Sequence, residues 1–224
     1  MEDKEVQTAS MKLNGFMEKN RKGVIGCAVV VFAVLVAFIV VSIVNNNAKV
    51  KALSVIDEIT YELTDGSTAL EDAELNARCE AALEKVNAYT TKGGIVGARA
   101  NMLAADITFD MGKYAESAEY WKAVASKGKN TYLGPIAQFN LGVCYEEMKN
   151  LDAAAEAYKV AADNKEFVLK AHAKFSYARV LETQAKYADA LAAYKDLVEV
   201  LPNDTWANLA KSRIISLETS GKAN

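Results

Sequence analysis

A chain of 224 residues, 51% of them apolar and with a formal charge of −3, can bury a sizeable core but carries no excess of base to grip nucleic acid. Ala, Leu, Glu and Lys are abundant, and proline occurs only twice, at Pro135 and Pro202. Outside the N-terminal apolar block no run of alternating β-branched residues reads as a strand, so the composition argues against a β-rich fold and predicts an all-α one.

Residues 1–22 are polar and read as a cytoplasmic tail, disordered except where Met11–Lys22 can form a short helix at a membrane surface. Residues 23–44, Gly23 to Val44, contain no charge and consist almost wholly of Val, Ile, Leu, Phe and Ala. About 20 such residues span a bilayer's hydrocarbon core as a helix, which predicts a transmembrane helix. A removable signal peptide has a shorter apolar region and ends on small residues, whereas this run ends Ser42-Ile43-Val44-Asn45. Cys27 stands before most of the apolar run rather than after it, so it reads as a small membrane residue and not a lipidation site. Lys12, Lys19, Arg21 and Lys22 precede the span and only Lys49 and Lys51 follow it closely. That bias keeps the N-terminus cytoplasmic and places the rest outside the cytoplasm, in a bacterium the periplasm beyond the inner membrane.

Residues 45–93 read as a stalk and a degenerate first helix hairpin. Val50, Leu53, Ile56, Ile59 and Leu63 fall on one face of a helix over Lys49–Leu63, which can run on from the span although Asn45–Asn47 is a weak helix-forming stretch. Asp65-Gly66-Ser67 ends it, and Leu70–Tyr89 is its partner, with Leu75, Cys79, Ala82, Leu83 and Val86 inward. Residues 94–202 then read as three better hairpins. Ile95–Met111 pairs with Tyr114–Lys127, Leu133–Met148 with Leu151–Asp163, and Glu166–Gln184 with Tyr187–Leu201. The turns fall at Gly112-Lys113, Lys149-Asn150 and Ala185-Lys186. Residues 203–224 supply a capping helix, Thr205–Leu217, and a tail. Cys79 and Cys144 read as small buried interface residues, with a bond between them left open.

Ala105, Gly142 and Ala178 lie 37 and 36 residues apart, and Ser117, Ala154 and Ala190, then Trp121, Tyr158 and Tyr194, keep that spacing. Small residues at such positions let paired helices cross closely, and the aromatic fills the wider gap towards the next hairpin. Leu141-Gly142, Tyr145, Ala154, Tyr158 and Ala161, and again Tyr177-Ala178, Leu181, Ala190, Tyr194 and Pro202, resemble the tetratricopeptide repeat (TPR) pattern over residues 95–202. Asn101, Gln138 and Lys174 depart from it where the family favours a bulky residue. The resemblance implies a TPR-type right-handed α-solenoid of helix hairpins and a protein-binding function. The layout of tail, span and repeats also resembles the YfgM-type ancillary subunits of the bacterial secretion translocon, which implies work in protein export or periplasmic chaperone networks. A structural scaffold subunit of a cell-envelope assembly is the alternative.

In TPR geometry the first helix of each pair lines a concave groove. The positions placed there are Arg99, Met102, Asp106 and Phe109, then Phe139, Val143, Glu146 and Glu147, then His172, Phe175, Arg179 and Glu182. Phe139 and Phe175, one repeat apart, can form an apolar floor for a client segment, with Arg99 and Arg179 binding acidic groups. The other reading, that both are core and buried by the neighbouring helix, is the favoured one, since an aromatic at helical spacing is usually packing. The Lys and Asn that clamp a partner's C-terminal carboxylate in some TPR domains are replaced here by Met102, Asp106, Phe139, Val143 and Phe175. His172 is the only histidine, without Cys, Asp or Glu at metal-ligand spacing, and Lys92-Gly93-Gly94 lacks the context of a phosphate loop. The expectation is therefore no enzyme, no cofactor, no metal and no small-molecule substrate. The expected partners are exported clients, translocon or envelope-complex subunits, and the lipid bilayer through residues 23–44.

Overall fold

The structure is a computed structural model describing residues 11, 14–67, 70–128 and 131–222. The expected tail lies largely outside these residues, including Lys12, as do residues 223 and 224. Residues 14–19 are helical, and nine longer helices follow, with no strand among the described residues. They are α1 (Arg21–Thr64), α2 (Asp72–Thr90), α3 (Gly94–Asp110), α4 (Tyr114–Lys127), α5 (Leu133–Glu147), α6 (Leu151–Asp163), α7 (Lys170–Thr183), α8 (Tyr187–Val200) and α9 (Thr205–Thr219).

The chain divides into two units, Met1–Lys51 and Ala52–Asn224. In the first, the part of α1 from Arg21 to Lys51 is largely apolar. The most apolar window of α1 has mean hydropathy 3.3 and none of it is buried. By length and composition α1 can cross a membrane, a test that a signal sequence also passes.

In the second unit, helices from α2 onward pack on their sequence neighbours, and α9 touches both α8 and α7. Four apolar clusters fill the stack. Ile56 and Ile59 of α1 join Cys79, Ala82 and Val86 of α2 and Val96, Ala100, Ala104 and Ile107 of α3. The next cluster runs from Ala98 and Ala105 through Trp121 and Val124 to Leu141 and Cys144. Tyr158, Phe139, Phe167 and Ala161 anchor the third, and Tyr194, Leu197, Ala207 and Leu217 the fourth.

Small residues do at the crossings what their size predicts. A Cβ on Gly142 would lie 2.6 Å from the Tyr158 ring, so α5 and α6 meet at a distance only glycine permits. Ser117 Oγ donates to the Ala105 carbonyl at 2.8 Å, stitching α4 to α3, and Cys144 Sγ lies 3.4 Å from the same hydroxyl. Cys79 and Cys144 are both buried and free, and burial raises both thiol pKa values. Asn101 is 3% exposed yet satisfied, donating to the carbonyls of Thr90 (2.7 Å) and Gly97 (2.6 Å).

The turns within the three hairpins share one closure. The N–H of Lys113 donates to Thr108 O, that of Asn150 to Tyr145 O, and that of Lys186 to Leu181 O, all at 2.8–3.0 Å. This helix ending needs a left-handed residue just before the donor. Gly112 takes it at φ 73°, but Lys149 (60°) and Ala185 (59°) take it with a Cβ present.

α7 departs furthest from its predicted start. α7 begins at Lys170 rather than Glu166. Asn164 Oδ1 accepts the Glu166 N–H at 3.0 Å, turning the chain, and Phe167 swings inward to 7% exposure with its ring 6.2 Å from Phe139. Burying that ring outweighs one further turn of helix.

Candidate functional site

The first helices of successive hairpins, α1, α3, α5, α7 and α9, share one face of the repeat unit and are linked across it by side chains. Arg99 on α3 donates to Asp57 on α1 at 2.6 Å. Arg179 on α7 grips Glu146 on α5 with both terminal nitrogens, at 2.7 and 2.6 Å, and Arg213 on α9 does the same to Glu182 on α7 through Nε (3.1 Å) and Nη2. Each of these glutamates also accepts a tyrosine hydroxyl from the second helix of its own hairpin: Tyr158 to Glu146 at 2.6 Å and Tyr194 to Glu182 at 3.2 Å. The result is a repeated Tyr–Glu–Arg staple. Loss of hydration and the adjoining carboxylate push both phenols well above the usual range, while the hydrogen bond to glutamate raises Arg179 and Arg213.

Rings continue along the same face. Phe139 lies 4.7 Å from His172, whose imidazole stacks on Trp206 at 3.8 Å with the planes 7° apart, and Phe175 closes on Trp206 at 5.2 Å. Burial, with a contribution from the Arg179 charge, lowers the His172 pKa, so the ring is held neutral over a wider range than an exposed histidine.

The apolar floor and the free arginines, the bolder reading of this face, both give way. Phe139 is 9% exposed and packed by Tyr158, Phe167 and His172, so it belongs to the core and offers no floor. The same ring that satisfies a groove position at helical spacing is drawn inward here by three other rings. Arg99 and Arg179 do not stand ready for acidic groups, because Asp57 and Glu146 already hold them. Glu146 and Glu182, with side chains 18% and 16% exposed, are likewise committed to their staples.

The remaining predicted positions stay available in part. Met102 and Val143 are half-buried and pack on the core clusters, and Phe109 is half-buried with its ring edge-on to Tyr114 at 5.1 Å. His172 and Phe175 are half-buried beside Trp206. Asp106 and Glu147 are exposed. The Asp106 carboxyl is pushed up to about 6, chiefly by lost hydration and then by Asp110. Groups that could hold a metal ion do not occur among the described residues.

Sequence reasoning missed Trp206 and Arg213 as members of this face. A signal existed: Glu146/Tyr158 and Glu182/Tyr194 repeat with the same offset of 12 residues, and each has an arginine near the next first helix. Reading Arg213 as the counterpart of Arg179 would have placed α9 beside α7.

Residues 102–168 match the tetratricopeptide repeat family. A TPR repeat-containing protein of Treponema pallidum (strain Nichols) is 31% identical over 153 residues, which cover 68% of this chain. The chain spans 62% of that relative's length. Among solved structures, the crystal structure of the apo form of RapI superposes with a TM-score of 0.53 at 13% identity, covering 76% of this chain and 69% of that one, a likeness of fold.

Proposed function

For a chain that carries tetratricopeptide repeats behind a long apolar helix, we propose a membrane-tethered protein-interaction module, held by residues 23–44 with its repeats outside the cytoplasm. The observation that carries the reading is the pairing of the two units: repeats of a binding family and an unburied helix apolar enough to span a bilayer. Its task is assisting exported proteins near the translocation channel or passing them to periplasmic chaperones, in the manner of the YfgM-type subunits it resembles. No catalysis, cofactor or small-molecule substrate is assigned to it. Client contact falls on the part of the face the staples leave free, around Met102, Asp106 and Phe109, and on the half-exposed His172, Phe175 and Trp206.

A structural scaffold subunit is the second reading, favoured by the two staples, which stiffen α5, α7 and α9 against one another. A photo-cross-linking residue at Asp106, used in intact cells and read by mass spectrometry, separates the two. Many unrelated secreted chains support client handling, and one dominant stoichiometric product sinks it in favour of the scaffold. Protease digestion of the repeats in spheroplasts but not in intact cells supports the orientation; protection in both overturns it.

A further inference from the structure

We propose that the edge of the repeat unit formed by the α4–α5 and α6–α7 loops rests on an anionic phospholipid surface. Tyr132, Val168 and Leu169 are 70%, 94% and 47% exposed. Together with Pro135, Ile136 and Phe167 they frame a cleft of about 380 Å³. Tyr132 and Val168 stand one repeat apart, each just ahead of a first helix, so the apolar tips recur along one edge. The tips have a fixed base, because Phe167 beneath them is buried against Phe139. Exposed apolar side chains beside a core-anchored ring are surface waiting for a partner rather than unused core.

Charge says which partner. Lys165 and Lys170 flank Val168 and Leu169, against Asp163 and Glu166. Lys127 borders the α4–α5 loop and donates to the Lys92 carbonyl at 3.1 Å, which brings the α2–α3 loop and its lysine to the same edge. At the opposite edge the turns are flanked by Asp110, Glu116, Glu147, Asp152 and Asp189, against Lys113, Lys149 and Lys186. Protruding Tyr and aliphatic tips beside a lysine excess suit insertion at an anionic headgroup layer, whereas the opposite edge has an excess of acid at its turns. A peptide would instead be met by a concave apolar strip. Within the repeat unit, Asp57 pairs with Arg99, five residues after α3 begins, so Ala52 lies toward the loop edge carrying Lys92. Only residues 45–51 separate Ala52 from the apolar run. The inference rests on the span reading in this respect.

The test uses the full chain, with Cys27→Ala, in lipid nanodiscs of phosphatidylcholine with or without phosphatidylglycerol. A nitrobenzoxadiazole label is placed at Val168→Cys, or at Asp152→Cys on the opposite edge; Cys79 and Cys144 are buried away from the reagent. In phosphatidylglycerol discs the Val168 label is expected to shift to the blue and to be quenched by doxyl lipids about twofold or more beyond the Asp152 label. Lys127→Glu with Lys165→Glu should abolish the difference. Equal exposure of the two labels overturns the proposal. So does shielding of the Val168 label that is the same without phosphatidylglycerol and indifferent to the lysines, which points to a second copy or a protein partner. Co-elution of the chain with discs reports on the span separately. Failure to co-elute overturns the anchor and the edge together, whereas co-elution with a solvent-exposed Val168 label overturns the edge alone.

Discussion

The first repeat and the two that follow use the same positions with opposite chemistry. Four residues after the small crossing residue stands Phe109 in the first repeat, Glu146 in the second and Glu182 in the third. The equivalent positions on the second helix are Trp121, Tyr158 and Tyr194, and on the next first helix Val143, Arg179 and Arg213. In the first repeat Trp121, at 3% exposure, shares an apolar cluster with Leu141 and Cys144 of the next first helix, and Phe109 packs against that cluster. The later two repeats are joined instead by hydrogen-bonded ion pairs closed by a buried tyrosine. The contrast teaches that the repeat fixes where helices touch but not how. Apolar contact gains from area and ignores salt, whereas the staples are directional and half open to solvent.

Measurements of stability, exchange and pH dependence would break or sharpen this contrast. The largest effect belongs to the apolar joint: Trp121→Ala should cost about 3–5 kcal/mol in chemical denaturation, through lost area and the cavity left behind. A loss under about 1 kcal/mol would mean that Trp121 is not what holds the first repeat to the second. Next comes the crossing beside the staple. Gly142→Val sets a branched side chain into the Tyr158 ring and should cost about 1–3 kcal/mol, with the Glu146 bond disturbed as the ring shifts.

The staples themselves rank below. Tyr158→Phe should cost about 1 kcal/mol, and Tyr194→Phe less, because its bond to Glu182 is longer. Added salt should speed amide exchange in α7–α9 more than in α3–α5, and equal acceleration would erase the distinction between the two kinds of joint. The left-handed turns offer a gain of similar size. Ala185→Gly should stabilise the third hairpin by about 0.5–1 kcal/mol in thermal unfolding, while Gly112→Ala should destabilise the first.

The smallest effect depends on pH. Asp106 is pushed up to about 6 from the ordinary 3.8. A carboxyl whose folded pKa lies above its unfolded value contributes most below about 4, and that contribution is lost as pH rises through about 6. Because the side chain is exposed, solvent screening keeps the effect to about 1 kcal/mol or less. Asp106→Asn should raise the melting temperature at pH 7.5 and leave it nearly unchanged at pH 4; an equal rise at both would remove ionisation as the cause.

Much of the fold was legible because its causes are local. The hairpin boundaries followed from periodicity and turn residues, and α4 and α6 begin and end where the pattern places them. The start furthest from its place, at Glu166, turned on Phe167. Nothing adjacent in the chain says that its ring will pack on Phe139, so the sequence read as helix where the core had a stronger claim. The candidate site was less legible. Met102, Asp106 and Phe109 could be placed on the first-helix face by register alone. That Arg99 and Arg179 would be taken up by Asp57 and Glu146 could not be, since those partners lie 42 and 33 residues away.

By itself the sequence determined that the chain is helical, where its hairpins turn, that small residues mark the crossings, and that one helix is apolar on every side. Each of these follows from a residue and its neighbours within a few turns. Tertiary structure alone decided that Phe139 is core, that the arginines are spent within the fold, and that Tyr132 and Val168 stand in the open. An aromatic or a charge at helical spacing fits either face of a helix, and only the distant groups that come to lie beside it determine which face it takes.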